Sequence, residues 1–552
     1  MLCLHDPVDP LSRTSMGVSM NLEAVLAARL AVAFEAVAGE PVDPLVRASQ
    51  HADFQSGAAL GLARRLGRAP REIAADVAAR ADLTGLATAE LSGPGFLNLT
   101  VDDAVLAAAY PLDPPPGAKE RIVLDYSGPN VAKELHVGHL RSTIIGDALA
   151  RLLSWGGHDV VRVNHLGDWG TQFGMLIEHM SDHDGDYSLS DLTAFYQQAR
   201  VTFDNDPDFR TRARLRVVAL QNGDPATRAM WHRLVEQSER SFVADYERLG
   251  ITLTRADFSG ESSYQDQLGS VVDELTAKGL LVESEGALCA FPAGFTGRDG
   301  QPLPLIVRKS DGGFGYAATD LAALRHRTRE LAATRLLYVV GTPQANHFAM
   351  VFAVGRAAGW LPAGVTAEHV NFGSVLGPDG RMLKTRSGDT IKLAGLLDEA
   401  DERATAPAVG IGAIKYADLA NDRRSDYVFD WDRMLAVTGD TGPYLQYALV
   451  RIRSLLAKAG AAPGPVVLGH PAERRLALTL LGFEPAAAAA IEHREPHRLA
   501  VHLHDVAVAF STFYETCRPI LGSPSRLALT ARTGETLRLG LDLLGIPVPD
   551  EM

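Results

Sequence analysis

Two apolar, β-branched runs, Arg121–Tyr126 (RIVLDY) and His158–Val163 (HDVVRV), flank one stretch of helical periodicity. Ile144, Leu149, Leu152 and Leu153 supply the apolar stripe of a helix predicted over about Gly138–Trp155. Strands this uniformly apolar are buried on both faces, as in a parallel sheet. Parallel neighbours need a crossover, and crossovers are right-handed. Strand–loop–helix–strand is therefore the first half of a nucleotide-binding α/β sheet.

The chain has 552 residues, too many for one hydrophobic core. Residues 1–19 carry early acids and prolines and read as a disordered leader, with Met20 a candidate start. A first module is expected over 20–115. It has helical spacing at Leu22, Val25, Leu26 and Leu30, and a helix around Gly57–Leu66. Arg64, Arg65, Arg68 and Arg71 make this the most basic stretch of the chain, and Gly93–Val101 is strand-like. The Pro-rich Tyr110–Gly117 marks a boundary. The α/β domain is expected over 116–405, with a helical, charged insertion lacking sheet signals at about 180–300. Its strands resume at Leu303–Arg308, Leu336–Val340 and His369–Phe372. From 406 to 552 the pattern is almost purely helical.

Cys3, Cys289 and Cys517 lie too far apart to suggest a disulfide framework or a cysteine zinc site, which fits a reducing cytosol. No apolar run approaches the roughly 18–20 residues of a membrane helix. The net charge of −14 argues against indiscriminate coating of nucleic acid, but not against gripping a folded RNA by local basic patches and shape.

Three segments carry chemistry. In Asp125–Leu140 (DYSGPNVAKELHVGHL), His136 and His139 fall where a strand has ended and a helix begins. A helix N-terminus favours a phosphate, and two imidazoles one turn apart add donors. Gly138 permits close approach of a nucleotide, and Lys133 brings positive charge. The four residues HVGH alone are as compatible with two solvated histidines. In Gly377–Leu393 (GPDGRMLKTRSGDTIKL), a glycine-rich loop carries Arg381, Lys384 and Arg386, suited to a polyphosphate or to a solvated basic hairpin. It lacks the Walker A spacing. In Ser310–Leu324, Tyr316 and Asp320 stand four apart at a helix opening. A carboxylate there can grip a guanidinium or simply cap the helix.

Over some fifty positions, LDYSGPNVAKELHVGHLRSTIIGDALARLL followed by VRVNHLGDWGTQFGMLI resembles the signature region of the class I arginyl-tRNA synthetases. KTRSG resembles that family's degenerate second signature loop, in which Lys133 matches a compensating lysine upstream of the histidines. The resemblance implies a Rossmann-type parallel-sheet catalytic domain with helical insertions, an α+β N-terminal module and an all-α anticodon-binding domain. It implies ATP-dependent joining of L-arginine to tRNA(Arg) through arginyl-adenylate, with transfer to the terminal adenosine 2′-hydroxyl and activation dependent on tRNA. Mg²⁺ is expected beside ATP, and no protein-held metal.

On this resemblance, His136, His139, Lys133, Lys384 and Arg386 act in catalysis, and Val137, Gly138, Met382 and Leu383 join the histidines around ATP. Asp125, Tyr316 and Asp320 face the guanidinium, and Asn130, His136 and Gln344 the α end. Gly128 stands where some members carry serine, leaving a backbone N–H to serve. Phe96 and Asn98 match the N-terminal module's tRNA-facing aromatic and amide. Tyr444, Tyr447, Arg451 and Arg453 are candidates to stack on anticodon bases. Phe96 is equally readable as core. A monomer in the cytoplasm is the family's usual state. The rival readings are an adenylate-forming enzyme with a non-tRNA acceptor, a non-catalytic tRNA-binding paralogue and a second, inhibitor-resistant copy. The spaced His179–His183 and the cluster His493, His497, His502 and His504 read as solvated faces rather than metal ligands.

Overall fold

In the computed structural model, residues 21–110, 112–115, 117–183, 192–297, 300–384, 391–518 and 520–552 are described. The leader expected over 1–19 and Arg386 lie outside them.

The first module holds α1 (Leu22–Ala38), β1 (Val46–Ala48), β2 (Phe54–Ser56), α2 (Ala58–Leu66), α3 (Pro70–Arg80), β3 (Ala87–Ser92), β4 (Phe96–Val101) and α4 (Asp103–Ala108). Asn21 caps α1 by accepting the Ala24 N–H, and Leu22, Leu26, Leu30 and Phe34 bury one helical face. That face covers an antiparallel sheet of order β1-β2-β4-β3. Two arginines of the basic stretch are paired with acids, Arg65 with Glu40 and Arg68 with Asp76, while Arg71 donates to the Gly93 carbonyl.

The second region runs β5 (Arg121–Asp125), α5 (Val137–Trp155), β6 (Asp159–Leu166), α6 (Thr171–Asp182), α7 (Leu192–Asn205), α8 (Pro207–Gln221), α9 (Pro225–Leu249) and β7 (Phe258–Gly260). It continues with α10 (Gln265–Ala277), β8 (Val282–Ser284), β9 (Ala287–Ala290), β10 (Leu305–Arg308), α11 (Tyr316–Arg329) and β11 (Arg335–Tyr338). Next come α12 (Ala345–Ala357), β12 (Thr366–His369), β13 (Val375–Leu376) and α13 (Leu393–Arg403). The main sheet is parallel, of order β12-β11-β5-β6-β7. From β5 the chain first builds one side of the sheet and only later returns to build the other. The crevice between the carboxyl ends of β5 and β11 is thus a topological switch point, where ligands of such sheets bind.

Two expectations need correction. The stretch 180–300 is not free of sheet: β7 extends the main sheet, and β8 and β9 form an antiparallel sheet. The strand expected at Leu303–Arg308 joins that small sheet beside β9, not the parallel one. Strands of three or four residues carry too little periodicity to be read from sequence.

The last region comprises α14 (Pro407–Leu419), β14 (Tyr427–Val428), α15 (Trp431–Met434), α16 (Gly442–Ala457), α17 (Pro471–Leu480), α18 (Phe483–His493), α19 (His497–Thr516) and α20 (Pro524–Leu543). A buried ion pair, Arg141 of α5 to Asp418 of α14 at 3.2 Å, ties it to the α/β region. The histidine expectation also changes. His179 is 4% exposed and stacks against His183 and Phe195, so it belongs to the core. Burial holds His502 down to about 4, so its ring is neutral.

Candidate active site

The loop after β5 is built to be rigid. Gly128, at φ +58°, donates its N–H to the Asn164 side chain at 2.9 Å. That N–H is consequently engaged inside the protein, and the expectation that it would serve a substrate fails. Ser127 meets the buried Tyr246 hydroxyl at 2.6 Å, and Asn164 donates to the same hydroxyl at 3.0 Å. Helix α5 can lie close because Gly146 has no side chain; a Cβ there would fall 2.3 Å from the Tyr126 ring.

His136 is the N-cap of α5. Its Nδ1 accepts the Gly138 N–H at 3.1 Å, and Nδ1 of His139 accepts the His136 N–H at 3.2 Å. The room above Gly138 is filled by the His136 imidazole, which a Cβ would meet at 2.8 Å. Burial, then the nearby Lys133 charge, lowers the His136 pKa. Burial, with His136 and Lys133 beside it, lowers His139 to about 3. Both rings are neutral at pH 7, and with Nδ1 accepting, the proton sits on Nε2. The remaining donor of each ring is thus Nε2–H; the Val137 and Gly138 amides of the same helix start are already engaged, by the Ile391 carbonyl and by His136 Nδ1.

The described ends of the glycine-rich segment are held by backbone hydrogen bonds. Gly377 donates to the Arg381 carbonyl at 2.7 Å, closing a turn, and Leu383 donates to Val375 at 3.0 Å. Met382 is 55% exposed, Lys384 is exposed and Leu383 is half-buried. Beyond the loop, Val137 donates to Ile391, Leu393 donates to Leu135, and Lys392 pairs with Glu134 at 2.6 Å.

The second half of the site is acidic. Tyr316 is the first residue of α11 and is 69% exposed. Asp320 lies a turn further in, so it does not cap the helix; it meets His347 Nε2 at 2.6 Å. The Tyr316 and His347 rings meet edge-on at 4.9 Å. Glu261, just after β7, stands near Asp320 and Asp168. Burial and the two carboxylates push its pKa up to about 8. Neither Glu261 nor His347 was picked out from sequence. The signals are slight: an acid in SGESSY, and a histidine three residues after Gln344. Asp125 is already matched, by Arg327 at 2.7 Å. Asn130 is exposed where its backbone bridges to Gly167, and Gln344 is exposed at the carboxyl end of β11. The crevice thus carries neutral donors and cations on its β5 side and carboxylates around α11 and β7.

Comparison with known proteins agrees with this geometry. A family model described as tRNA synthetases class I (R), catalytic domain, matches residues 103–407. The DALR anticodon binding domain matches 445–552, and the arginyl tRNA synthetase N terminal domain matches 20–101. The chain belongs to the arginyl-tRNA synthetases. An arginine–tRNA ligase of Thermobifida fusca (strain YX) is 50% identical, over 96% of this chain and 99% of that protein. The crystal structure of arginyl-tRNA synthetase from Plasmodium falciparum superposes with TM-score 0.84 at 28% identity, covering 97% of this chain and all of that one. The Thermus thermophilus arginyl-tRNA synthetase superposes with TM-score 0.78 at 26% identity, covering 96% of this chain and 100% of that one.

Away from the crevice, this synthetase presents two further surfaces. Phe96 and Asn98 lie on the outer face of β4, opposite the buried Leu97 and Leu99, so Phe96 is not core. Gln55 donates to Asn98 at 2.7 Å beside it. In the last region, Arg451 lies 3.8 Å from the Tyr514 ring centroid and 5.9 Å from that of Tyr447, which is 41% exposed. Arg518 flanks Tyr514 from 5.0 Å. Sequence reasoning missed Tyr514 and Arg518, which are distant in the chain. Tyr444 instead packs inward, its hydroxyl 3.1 Å from Ser511, while Arg453 is exposed. No helix among the described residues is long and apolar enough to cross a membrane.

Proposed function

We infer that the chain joins L-arginine to tRNA(Arg) at the expense of ATP, in a cytoplasmic, monomeric form. The supporting observation is one crevice with a helix start capped by two neutral histidines on one side and a cluster of carboxylates on the other.

In this reading, Asp320, Tyr316, His347 and Glu261 receive the guanidinium. Asn130, His136 and Gln344 orient the α-ammonium and carboxylate. An arginine carboxylate oxygen attacks the ATP α-phosphorus in line; the bond to the bridging oxygen breaks and pyrophosphate leaves. Nε2–H of His136 and His139, the α5 N-terminus, Lys133, Lys384 and Arg386 offset the charge that builds on the phosphates. Val137, Gly138, Met382 and Leu383 line the nucleotide. Among the described residues no group of three or more His, Cys, Asp or Glu side chains is arranged to hold a metal ion. Mg²⁺ enters this reading as the counter-ion carried by ATP. The 2′-hydroxyl of the terminal tRNA adenosine then attacks the arginyl carbonyl, and AMP leaves. No covalent enzyme intermediate is needed, since orientation and charge stabilisation carry the rate.

For the tRNA, Phe96 and Asn98 form the outer contact, and Tyr447, Arg451, Tyr514 and Arg518 a stacking platform for anticodon bases. Domain boundaries near 115 and 405 follow from the same division of labour.

The test is incorporation of radiolabelled arginine into total tRNA with ATP and Mg²⁺, alongside pyrophosphate exchange with and without tRNA. Charging, with exchange appearing only when tRNA is present, is expected. Exchange without charging would point to a non-tRNA acceptor, and silence in both assays to a non-catalytic paralogue.

A further inference from the structure

Lys133 has an unexpected neighbour. Its ammonium lies 4.5 Å from the centroid of the Tyr196 ring, on α7. Lys133 forms no ion pair among the described residues, and Glu134 next to it pairs with Lys392 instead. The position of Tyr196 is set by packing: Phe195 and Ala199 on the same helix are buried, and Tyr196 itself packs against the main core. The Lys133 charge is close enough to lower both His136 and His139, so this is the lysine that shares their phosphate-binding end of α5.

The kind of partner matters. A lysine carries its charge on a flexible four-carbon stem, and its orientation is undefined without a contact. A carboxylate would fix the ammonium but neutralise it, and would compete with an incoming phosphate. An aromatic face attracts the cation through its quadrupole while leaving the full charge in place. We propose that Tyr196, carried by a helix of the insertion, is a positioning residue for Lys133: its ring holds the ammonium at the start of α5, ready for the ATP phosphates. The proposal rests on Lys133 acting at those phosphates. It also gives α7 a part in the chemistry, since any displacement of that helix displaces the lysine.

Steady-state aminoacylation of the full chain tests this, with Tyr196→Leu, Tyr196→Phe and Lys133→Ala, singly and with Tyr196→Leu and Lys133→Ala combined. Tyr196→Leu should lower kcat about 3- to 10-fold, the worth of one cation–π contact, leaving the KM for arginine and for tRNA unchanged. Tyr196→Phe keeps the ring face and should stay within about twofold of the parent. In the Lys133→Ala background, Tyr196→Leu should cause no further fall. Should leucine disturb folding, 3,4,5-trifluorophenylalanine incorporated at 196 preserves the shape while weakening the ring face, and should lower kcat as well. Undiminished kcat in both the leucine and the fluorinated variants, or multiplicative effects of Tyr196→Leu and Lys133→Ala, would overturn the proposal. If those Tyr196 variants are normal while Lys133→Ala is impaired, the proposal alone falls. If Lys133→Ala itself is normal, the phosphate reading of Lys133 falls and takes the proposal with it.

Discussion

Arg327 places a guanidinium nitrogen 2.7 Å from the Asp125 carboxylate, and the two residues are 1% and 8% exposed at the carboxyl end of β5. The Arg327 guanidinium also lies 5.0 Å from the Tyr338 ring. The protein's own arginine thus occupies the acid expected to face the substrate. Asp125→Asn should therefore act chiefly on stability, costing about 3–5 kcal/mol because a buried cation loses its partner. Chemical denaturation and the arginine KM, measured together, decide the matter. A raised KM with unchanged stability would mean that Asp125 leaves Arg327 for the substrate.

On the proposed reading specificity falls to Asp320, which the structure pairs with a histidine rather than an arginine. Removing its carboxylate should leave the bound guanidinium short of its charged acceptor. Asp320→Ala is expected to raise the arginine KM by about 30- to 1000-fold, the range for a charged hydrogen bond lost in a closed site. The ATP KM should not move. Unchanged arginine kinetics would remove Asp320 from the pocket.

With arginine bound beside it as proposed, Glu261 should make binding depend on pH. Burial, Asp320 and Asp168 hold its pKa near 8, so below that pH the free protein carries it protonated. A bound guanidinium stabilises the carboxylate and lowers the pKa, so binding expels a proton. The arginine KM should fall as pH rises towards 8, by at most about tenfold per unit, and level off above it. Glu261→Gln should flatten the profile. Calorimetry at pH 7 in two buffers of different ionisation enthalpy should show proton release in the parent and none in the variant.

The histidine-bearing half of the crevice could be located in the sequence because β5 and α5 are uniformly patterned elements joined by a dense motif. The acidic half was legible only at Tyr316 and Asp320, which share one helix opening. Glu261 escaped notice because it follows a three-residue strand that only its pairing with β6 reveals. Arg327 reads as one more base in a solvated helix end (RHRTR). Its burial against Asp125 follows from the packing of α11 on the sheet, which no local pattern encodes. Gly128 was read as offering its N–H and Gly138 as making room for a nucleotide, but that N–H and the space above Gly138 are used by neighbouring side chains.

The platform around Tyr514 predicts a separable tRNA defect. Tyr514 touches the guanidinium groups of both Arg451 and Arg518. A base stacking there gains from the ring and from the flanking charge. Tyr514→Ala should raise the tRNA KM about 5- to 100-fold, the worth of one stacked base, with arginine and ATP KM unchanged. If the platform reads the anticodon, an anticodon-substituted tRNA should lose this sensitivity. Equal losses with both tRNAs would assign Tyr514 to packing.

Arg474 of α17 joins the two ends of the molecule. It donates to both Asp53 oxygens at 2.7 Å each, to Asp103 at 2.8 Å and to the Val101 carbonyl at 2.7 Å. Arg532 of α20 adds a bond to the Ala107 carbonyl at 2.9 Å and lies over the Tyr110 ring. The N-terminal module is therefore docked on the last region, and the spacing between Phe96 and the Tyr514 platform is set before any RNA arrives. Binding to a pre-set frame avoids the cost of ordering it. Asp53→Ala breaks the two-toothed contact and also removes the acceptor of the Val101 N–H. It should raise the tRNA KM by about tenfold through that lost pre-organisation, with arginine and ATP KM unchanged. Hydrogen exchange should quicken along β4 and α17, where the contact is lost, while β5 and α5 keep their protection. A tRNA KM unaffected by Asp53→Ala, with exchange quickened as expected, would show that the spacing is set by the RNA itself.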